Sequence, residues 1–246
     1  MALYSPGAKR WAMTERGRAH CHRDAHHFCI GPSELAWEGD SLRIRIRERS
    51  APWGQAIAGE IRVWPQQLFG FSTPLDGAAR HRWGPLAPSA RIEVSLSAPQ
   101  LRWQGQAYLD SNEGDEPIHR AFHTWDWSRA PLNDGSTLVF YDMQWPQQPD
   151  RLLALRFTPQ GEVEPVEPAP VQVLPRTAWR LARRMRSEQA VSVAEQLEDT
   201  PFYQRALLRF AYAGQSLTAF HETLSVPRLV SPVVQAMLPF RMPRRG

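Results

Sequence analysis

The chain has 246 residues, 42% of them hydrophobic and 22% charged. This composition is typical of a globular protein, and the length allows one large or two small β domains. No apolar run approaches the roughly 20 residues of a membrane-spanning helix. The two cysteines, Cys21 and Cys29, are too few for a disulfide framework, and turn residues break the start of the chain. We therefore expect a cytoplasmic protein without a signal peptide.

The formal net charge is +4, and the basic residues are arginines apart from Lys9. Arginines cluster at residues 180–186 and 241–245. A solvated arginine surface is the simplest interpretation. Nucleic acid and anionic lipid head groups are the alternatives that a basic surface leaves open.

Alternation of apolar and polar residues predicts that most of the chain is β-strand. Residues 41–49 alternate almost perfectly after the turn residues 38–40, which indicates a half-buried strand following a hairpin turn. The 22 prolines argue against long helices. One short helix is predicted at 229–238, with Pro232 in its first turn. Further strands are predicted at 10–16, 25–30, 34–37, 55–64, 90–96, 101–109, 137–145, 151–157, 178–181, 191–197, 205–212 and 217–224.

The fold class that this pattern favours is all-β, with two antiparallel β-barrels or sandwiches packed together and a short C-terminal helix. The pattern changes near Tyr108, where the alternating strands give way to an acidic loop at 110–119. We place the boundary between the two domains at this change.

The segment 103–129 combines five acidic residues with two histidines and three tryptophans. Asp110 follows Tyr108 by two residues at a predicted strand end, so the two side chains share a face. Apolar surroundings raise the pKa of a carboxyl group, which makes Asp110 a candidate general acid. The alternative is a solvated acidic turn, and the loop lacks the twelve-residue pattern of a calcium site.

His81 and Trp83 have the same spacing and share one face of a strand, either as site residues or as a half-exposed edge pair. The segment 20–29 is rich in histidine and cysteine, but its spacing fits no familiar zinc motif. No glycine-rich phosphate loop, nucleophile elbow or Walker sequence is present, so we expect no nucleotide cofactor.

Several segments together resemble the acyclic carotenoid 1,2-hydratase family, also called hydroxyneurosporene synthases, of the lipocalin-like carotenoid hydratase superfamily. The resemblance covers essentially the whole chain. The combination of these segments is specific for the family, although each segment alone is a weak signal. The segments are 3–7, 10–16, 81–83, 105–114, 125–129, 197–203, 221–225 and 234–244.

The resemblance implies that water adds across the terminal C1=C2 double bond of an acyclic carotene such as neurosporene or lycopene, without a cofactor or a metal. The catalytic residues that it implies are His81, Trp83, Tyr108 and Asp110. It also implies lipocalin-like domains at 1–107 and 108–246. Family members usually carry an additional N-terminal segment, so the first domain is expected to lack its first strand.

A mechanism follows from these expectations. Asp110, protonated in an apolar pocket, gives its proton to C2, and Trp83 and Tyr108 present their rings to the cation at C1. His81 either bonds Asp110 or positions the attacking water. The partners are a carotene and water, with no nucleic acid. The segment 233–242 favours peripheral contact with an anionic inner membrane.

Three other functions remain open. The main one is a non-enzymatic lipocalin-like carrier of a hydrophobic ligand, which would not need an acid beside a histidine. The others are a stress-linked lipid-binding paralogue and a metal-binding module at residues 20–29.

Overall fold

The computed structural model describes residues 1–145 and 149–245, and the chain is all-β with a short C-terminal helix. Two 3-10 helices cover Arg18–His20 and Ile118–Arg120, and the α-helices are α1 (Val226–Leu229) and α2 (Pro232–Arg241). The strands are β1 (Ala2–Ser5), β2 (Ala8–Trp11), β3 (Glu15–Arg16), β4 (Cys21–Arg23), β5 (His27–Ile30), β6 (Ser33–Glu38), β7 (Ser41–Arg49), β8 (Ala56–Pro65), β9 (Thr73–Pro74), β10 (His81–Ala98), β11 (Gln100–Gly114), β12 (Thr124–Pro131), β13 (Thr137–Gln144), β14 (Arg151–Phe157), β15 (Val163–Pro165), β16 (Val171–Val173), β17 (Arg184–Arg186), β18 (Ser192–Asp199), β19 (Tyr203–Tyr212), β20 (Gln215–Ser225) and β21 (Arg244–Arg245).

The chain divides into two compact units. Unit 1 comprises Met1–Gln66, Ala90–Tyr108 and Gln235–Gly246, and unit 2 comprises Gln67–Ser89 and Leu109–Val234. The long strands β10 and β11 contribute residues to both units. The predicted division into lipocalin-like domains at 1–107 and 108–246 stays a prediction.

Unit 1 is built on a meander of antiparallel strands from β4 to β8, which β10 extends by pairing with β8. Leu42 lies opposite Val63 across β7 and β8, and both side chains are buried. Alternating apolar residues fill small cores: Leu3 packs with Val94 and Leu96, and Ala12 packs with Ile46 and Ile57. Burial of one face explains the period-two pattern of these strands.

Unit 2 contains a seven-stranded antiparallel sheet in the order β15-β14-β13-β12-β20-β19-β18. The short strand β9 pairs with the start of β10, with Thr73 opposite Trp83. The main core of this unit packs on β12, β13, β19 and β20. Its buried members are Ala130, Leu138, Phe140, Leu174, Met185, Ala206, Leu208, Phe210, Leu217 and Ala219.

The all-β class and the C-terminal helix are confirmed, and Pro232 is the first residue of α2 as predicted. Among the described residues both large sheets are open, ending at β11 and β4 or at β15 and β18, so they are sandwich-like. The predicted strand at 178–181 is wrong. Arg180 has a positive φ of 58°, and its N–H donates to the carbonyl of Thr177 at 2.8 Å, which makes this segment a turn.

No helix in the described part of the chain is long and apolar enough to cross a bilayer.

Candidate active site

A hydrogen bond joins the start of β10 to β11. The indole Nε1–H of Trp83 donates to Oδ2 of Asp110 at 2.8 Å, and both residues belong to unit 2. Trp83 is 1% exposed, whereas Asp110 is half-buried. Because an indole N–H can only donate, a buried tryptophan needs an acceptor, and here the acceptor is a carboxyl oxygen.

Three aromatic rings hold the indole of Trp83 in place. The ring centroids of Tyr141, Phe157 and Phe71 lie 5.6, 6.4 and 6.5 Å from it, all in edge-to-face geometry. Gly84 permits this packing, since a Cβ at that position would meet the carbonyl oxygen of Phe71 at 2.2 Å. Edge-to-face pairs contribute about 0.5–1.5 kcal/mol each beyond burial, so the indole has little freedom to turn.

His81 is buried with both ring nitrogens occupied. Its Nδ1 lies 2.9 Å from Oδ2 of Asp76, and its Nε2 lies 2.9 Å from the carbonyl oxygen of Glu116. A carbonyl oxygen can only accept, so Nε2 carries a hydrogen. The ring therefore bridges the segment before β10 and the segment after β11.

Asp76 is the partner that sequence analysis missed. Its carboxylate accepts hydrogen bonds from the backbone N–H groups of Ala78, Arg80 and His81 at 2.7–3.1 Å. Burial raises the pKa of Asp76, but the hydrogen bonds from Arg80, His81 and Ala78 outweigh it, so the net pKa is lowered. Asp76 is thus held as a carboxylate beside His81.

The remaining surroundings of His81 are apolar and close. The ring of Phe122 lies 5.0 Å from the imidazole in edge-to-face geometry. Gly114 lies against the other side, and a Cβ there would stand 2.9 Å from Cδ2 of His81. The last residue of β11 is therefore a glycine because the imidazole occupies the space of a side chain.

A chain of ring contacts connects His81 with Trp83. It runs through Phe122, Trp125 and Tyr141, with centroid separations of 5.0, 5.6, 6.3 and 5.6 Å. Burial raises the pKa of Tyr141, and the charge of Asp110 adds to this effect. The carboxyl group of Asp110 therefore lies close enough to Tyr141 to affect its ionisation, and it also accepts the hydrogen bond from Trp83.

Three of the four predicted site residues, His81, Trp83 and Asp110, belong to unit 2. Tyr108 is grouped with unit 1, two residues before Asp110 on the same strand, and is half-buried. Side chains at this spacing point to the same side of a strand. The catalytic role of all four residues stays a prediction.

The other acids of the segment 103–129 differ from Asp110. Glu113 and Asp115 are exposed, and the carboxylate of Glu116 pairs with Arg80 at 2.9 Å. Only the backbone carbonyl of Glu116 enters the site, a contact that sequence patterns do not reveal. Asp126 is buried elsewhere in unit 2.

Asp126 belongs to a second buried polar cluster. Its Oδ1 accepts from the hydroxyl of Thr223 at 2.6 Å, and Thr223 in turn accepts from the amide of Gln204 at 3.0 Å. Burial raises the pKa of Asp126 to about 7, against the opposing hydrogen bonds from Thr223 and the N–H of Arg184. Because its partners are the buried side chain of Thr223 and the backbone of Arg184, we regard the cluster as structural.

His221 in the same cluster is neutral for a geometric reason. The guanidinium of Arg183 donates to Oε1 of Gln204 at 3.0 Å, so the amide nitrogen of Gln204 faces Nδ1 of His221 at 2.9 Å. Nδ1 therefore accepts, and Nε2 donates to the carbonyl of Arg184 at 2.9 Å. Burial lowers the pKa of His221 to about 4, in agreement with this tautomer.

The histidine-rich segment 20–29 forms the hairpin of β4 and β5. Asp24 lies 3.6 Å from His22 and 3.5 Å from His27, and both cysteines are free thiols. Within residues 1–145 and 149–245 no group of three or more metal-ligating side chains converges. The geometry of the hairpin therefore gives no support for a metal-binding module.

A cleft of about 710 Å³ lies in unit 1 and is lined mostly by polar and charged side chains, including Glu60, Arg62, Glu93 and Arg102 beside Trp103. None of the predicted site residues lines it. An acyclic carotene is apolar, so a charged cleft does not suit such a ligand.

The fold and this geometry define an all-β protein in which a tryptophan-bound carboxyl group lies near a buried histidine–aspartate pair. The chain belongs to the family described as carotenoid hydratase CrtC, whose model matches residues 1–246.

Curated relatives extend this result. The chain is 50% identical to an acyclic carotenoid 1,2-hydratase of Rubrivivax gelatinosus and 47% identical to one of Thiocapsa roseopersicina, over its full length in each case. It spans 61% of the length of each of these two proteins. It is also 35% identical, over 96% of its length, to one of Rhodobacter capsulatus and spans 85% of that protein. No solved structure matches the chain.

Proposed function

We propose that this protein is a hydratase that adds water across the terminal C1=C2 double bond of an acyclic carotene such as neurosporene or lycopene. The observation that carries the proposal is the carboxyl group of Asp110, which the indole of Trp83 holds at 2.8 Å among aromatic side chains. The names of the curated relatives support the same reaction. The reaction needs a proton donor and water, and we assign no cofactor to it.

In the proposed first step, Asp110 acts as the general acid. The neutral carboxyl group gives its proton to C2, the π bond supplies the electron pair of the new C–H bond, and C1 becomes a tertiary cation. Water then forms the C1–O bond, and the resulting oxonium returns a proton to the carboxylate of Asp110. The sum is one water added, with the acid restored.

Trp83 orients the acid in this scheme. Its ring is 1% exposed, so its contact with the site is through the Nε1–H group that binds Oδ2 of Asp110. A hydrogen bond to a carboxylate stabilises the ionised form and makes the carboxylic acid a stronger donor. This geometry supports a positioning role for Trp83 besides the predicted contact between its ring and the cation.

Tyr108 is the residue we assign to the cation at C1. It is half-buried and shares the side of β11 with Asp110, so its ring and the acid are presented together. An aromatic face stabilises a desolvated cation by about 2 kcal/mol. That is close to a 30-fold effect on the rate of the cation-forming step.

The test is Asp110→Asn, which keeps the shape of the side chain and removes the acid. Purified variants are incubated with neurosporene or lycopene, and products are followed by mass for the gain of one or two waters. Asp115→Asn is the matched control, because Asp115 is an exposed acid five residues away. We expect Asp110→Asn to lose nearly all hydration and Asp115→Asn to keep it. Full activity of Asp110→Asn would exclude the acid role.

The same assay distinguishes the carrier alternative. A carrier would retain the carotene without any gain of mass in the wild-type protein. Binding that persists in Asp110→Asn while hydration disappears supports the enzyme, since the acid then serves chemistry rather than affinity.

We also propose that α2 docks the protein peripherally on an anionic membrane, where the carotene is dissolved. Val233, Met237 and Phe240 recur at helical spacing, and they are 71%, 47% and 75% exposed. Arg241 ends the helix, and the side chains of Arg244 and Arg245 lie outside the described part of the structure. Apolar side chains beside arginines suit a surface of anionic lipid.

Flotation with liposomes that contain or lack phosphatidylglycerol tests this docking. We expect Phe240→Asp to reduce flotation, whereas Val173→Asp, a control at an 86% exposed valine on β16, should not. Equal flotation of both variants, or binding that does not respond to salt and to anionic lipid, would contradict the proposal.

A further inference from the structure

We propose that Asp76 is a positioning residue of the candidate active site: it fixes His81 as a bridge between β10 and the end of β11, and so holds Trp83 within reach of Asp110. The part of this inference that concerns turnover rests on the proposed function. The state of the His81 ring does not, because it follows from the hydrogen bonds alone.

Both oxygens of the Asp76 carboxylate accept hydrogen bonds. Oδ1 accepts from the N–H groups of Ala78 and Arg80 at 2.9 and 3.1 Å. Oδ2 accepts from the N–H of His81 at 2.7 Å and lies 2.9 Å from Nδ1 of the same residue. A single side chain therefore shapes the turn before β10 and orients its first residue.

The ring of His81 lies between two acceptors. The carbonyl of Glu116 accepts from Nε2, and the carboxylate of Asp76, already bound by three backbone N–H groups, lies 2.9 Å from Nδ1. The charged groups around the ring are the Asp76 carboxylate and the ion pair of Arg80 with Glu116, which is 2.9 Å long. The geometry therefore gives each ring nitrogen of His81 a partner at 2.9 Å, so the ring serves as a bridge rather than as a base.

The bridge reaches the reactive pair through the backbone. The carbonyl of His81 accepts from the N–H of Leu75 at 2.7 Å, and that of Arg80 accepts from the N–H of Asp115 at 2.9 Å. Two residues further along β10, Trp83 lies opposite Thr73. A shift of His81 would move this register, and a displacement of about 1 Å at a reacting group costs up to 100-fold in rate.

The first experiment reads the His81 ring directly. The protein is labelled with 15N in its imidazole rings, and the His81 signals are assigned by their loss in His81→Gln. We expect the wild-type signals to show a hydrogen bond at each ring nitrogen, and Asp76→Asn to change the Nδ1 signal while the Nε2 signal keeps its hydrogen bond. Identical His81 signals in wild type and Asp76→Asn would overturn the inference. Neither reading depends on any activity toward carotenes.

The second experiment separates positioning from general stability. We expect Asp76→Asn to lower kcat about 10- to 100-fold with KM changed less than about 2-fold, and Asp76→Glu to recover part of the loss. Asp76→Asn combined with His81→Gln should lose no more than the worse single variant. Additive losses, or equal kcat in Asp76→Asn and wild type, would contradict the positioning role. A wild-type protein without hydratase activity would instead refute the proposed function and leave the ring measurement decisive.

Discussion

Trp83 and Asp110, 27 residues apart in the chain, are joined by one hydrogen bond of 2.8 Å from Nε1 to Oδ2. The donor is rigid, because its ring is buried among Phe71, Tyr141 and Phe157. The acceptor is a half-buried carboxyl group. A fixed donor beside a half-buried carboxyl group is the arrangement that the proposed proton transfer requires, because the hydrogen bond restricts the rotation of the acid.

Trp83→Phe should separate the hydrogen bond from the packing. The phenyl ring keeps most of the aromatic contacts and removes the N–H group, so we expect kcat to fall about 10- to 100-fold. The free energy of unfolding should fall by about 1–3 kcal/mol through the smaller ring and the lost bond. Kinetics and urea unfolding measure both effects. Trp103→Phe, at a 45% exposed tryptophan, is the control, and an equal loss of kcat there would count against the prediction.

Gly114→Ala should displace the imidazole of His81, which packs directly against Gly114. The new methyl group would stand 2.9 Å from Cδ2 and 3.3 Å from Nε2 of the imidazole, whose two nitrogens are both held by hydrogen-bond partners. We expect destabilisation of about 1–3 kcal/mol and a loss of hydration. Gly70→Ala is the control, because no atom lies within 4 Å of its added Cβ. Unchanged stability in Gly114→Ala would show that the ring moves freely.

Tyr108→Phe and Tyr108→Leu should differ if the ring of Tyr108 stabilises the cation. Phenylalanine retains the aromatic face, so we expect its kcat within about 3-fold of wild type, while leucine should lose about 30-fold, the equivalent of 2 kcal/mol. Initial rates with saturating carotene measure the difference. Equal losses in both variants would assign the role to the hydroxyl group instead.

The pH dependence of stability should reveal two opposing titrations in the second polar cluster. Burial raises the pKa of Asp126 from 3.8 to about 7, so the folded state holds a proton that the unfolded state releases above pH 4. Its contribution to stability therefore decreases as pH rises from about 4 to 7. Burial lowers the pKa of His221 from 6.5 to about 4, so its contribution increases over nearly the same range.

The two slopes largely cancel in the wild-type protein, and single variants should expose them. In Asp126→Asn the slope of His221 remains, so the free energy of unfolding should rise by about 3 kcal/mol from pH 4 to 6.5. In His221→Gln the slope of Asp126 remains, and the same quantity should fall. Urea unfolding at several pH values tests both signs, and parallel curves for the two variants would refute the assignment.

Sequence patterns predicted the strands well where one face is buried. Residues 41–49 and 151–157 form β7 and β14 with the predicted bounds, because alternation reports burial directly. They also placed His81 and Trp83 on one face of a strand, and the structure shows that this face of β10 is buried. Asp76 was missed because its relation to His81 depends on the conformation of a turn. The carbonyl of Glu116 was missed because every residue carries such a group.

The orientation of the Gln204 amide determines which ring nitrogen of His221 carries a hydrogen. In the described part of the chain Arg183 makes no hydrogen bond to His221, yet its guanidinium determines which end of Gln204 faces the imidazole. The tautomer of one side chain is thus selected by a cation acting through the amide of another. The hydrogen bonds therefore form a continuous series from Arg183 through Gln204 and Thr223 to Asp126. In each of them the donor is on the Arg183 side and the acceptor on the Asp126 side.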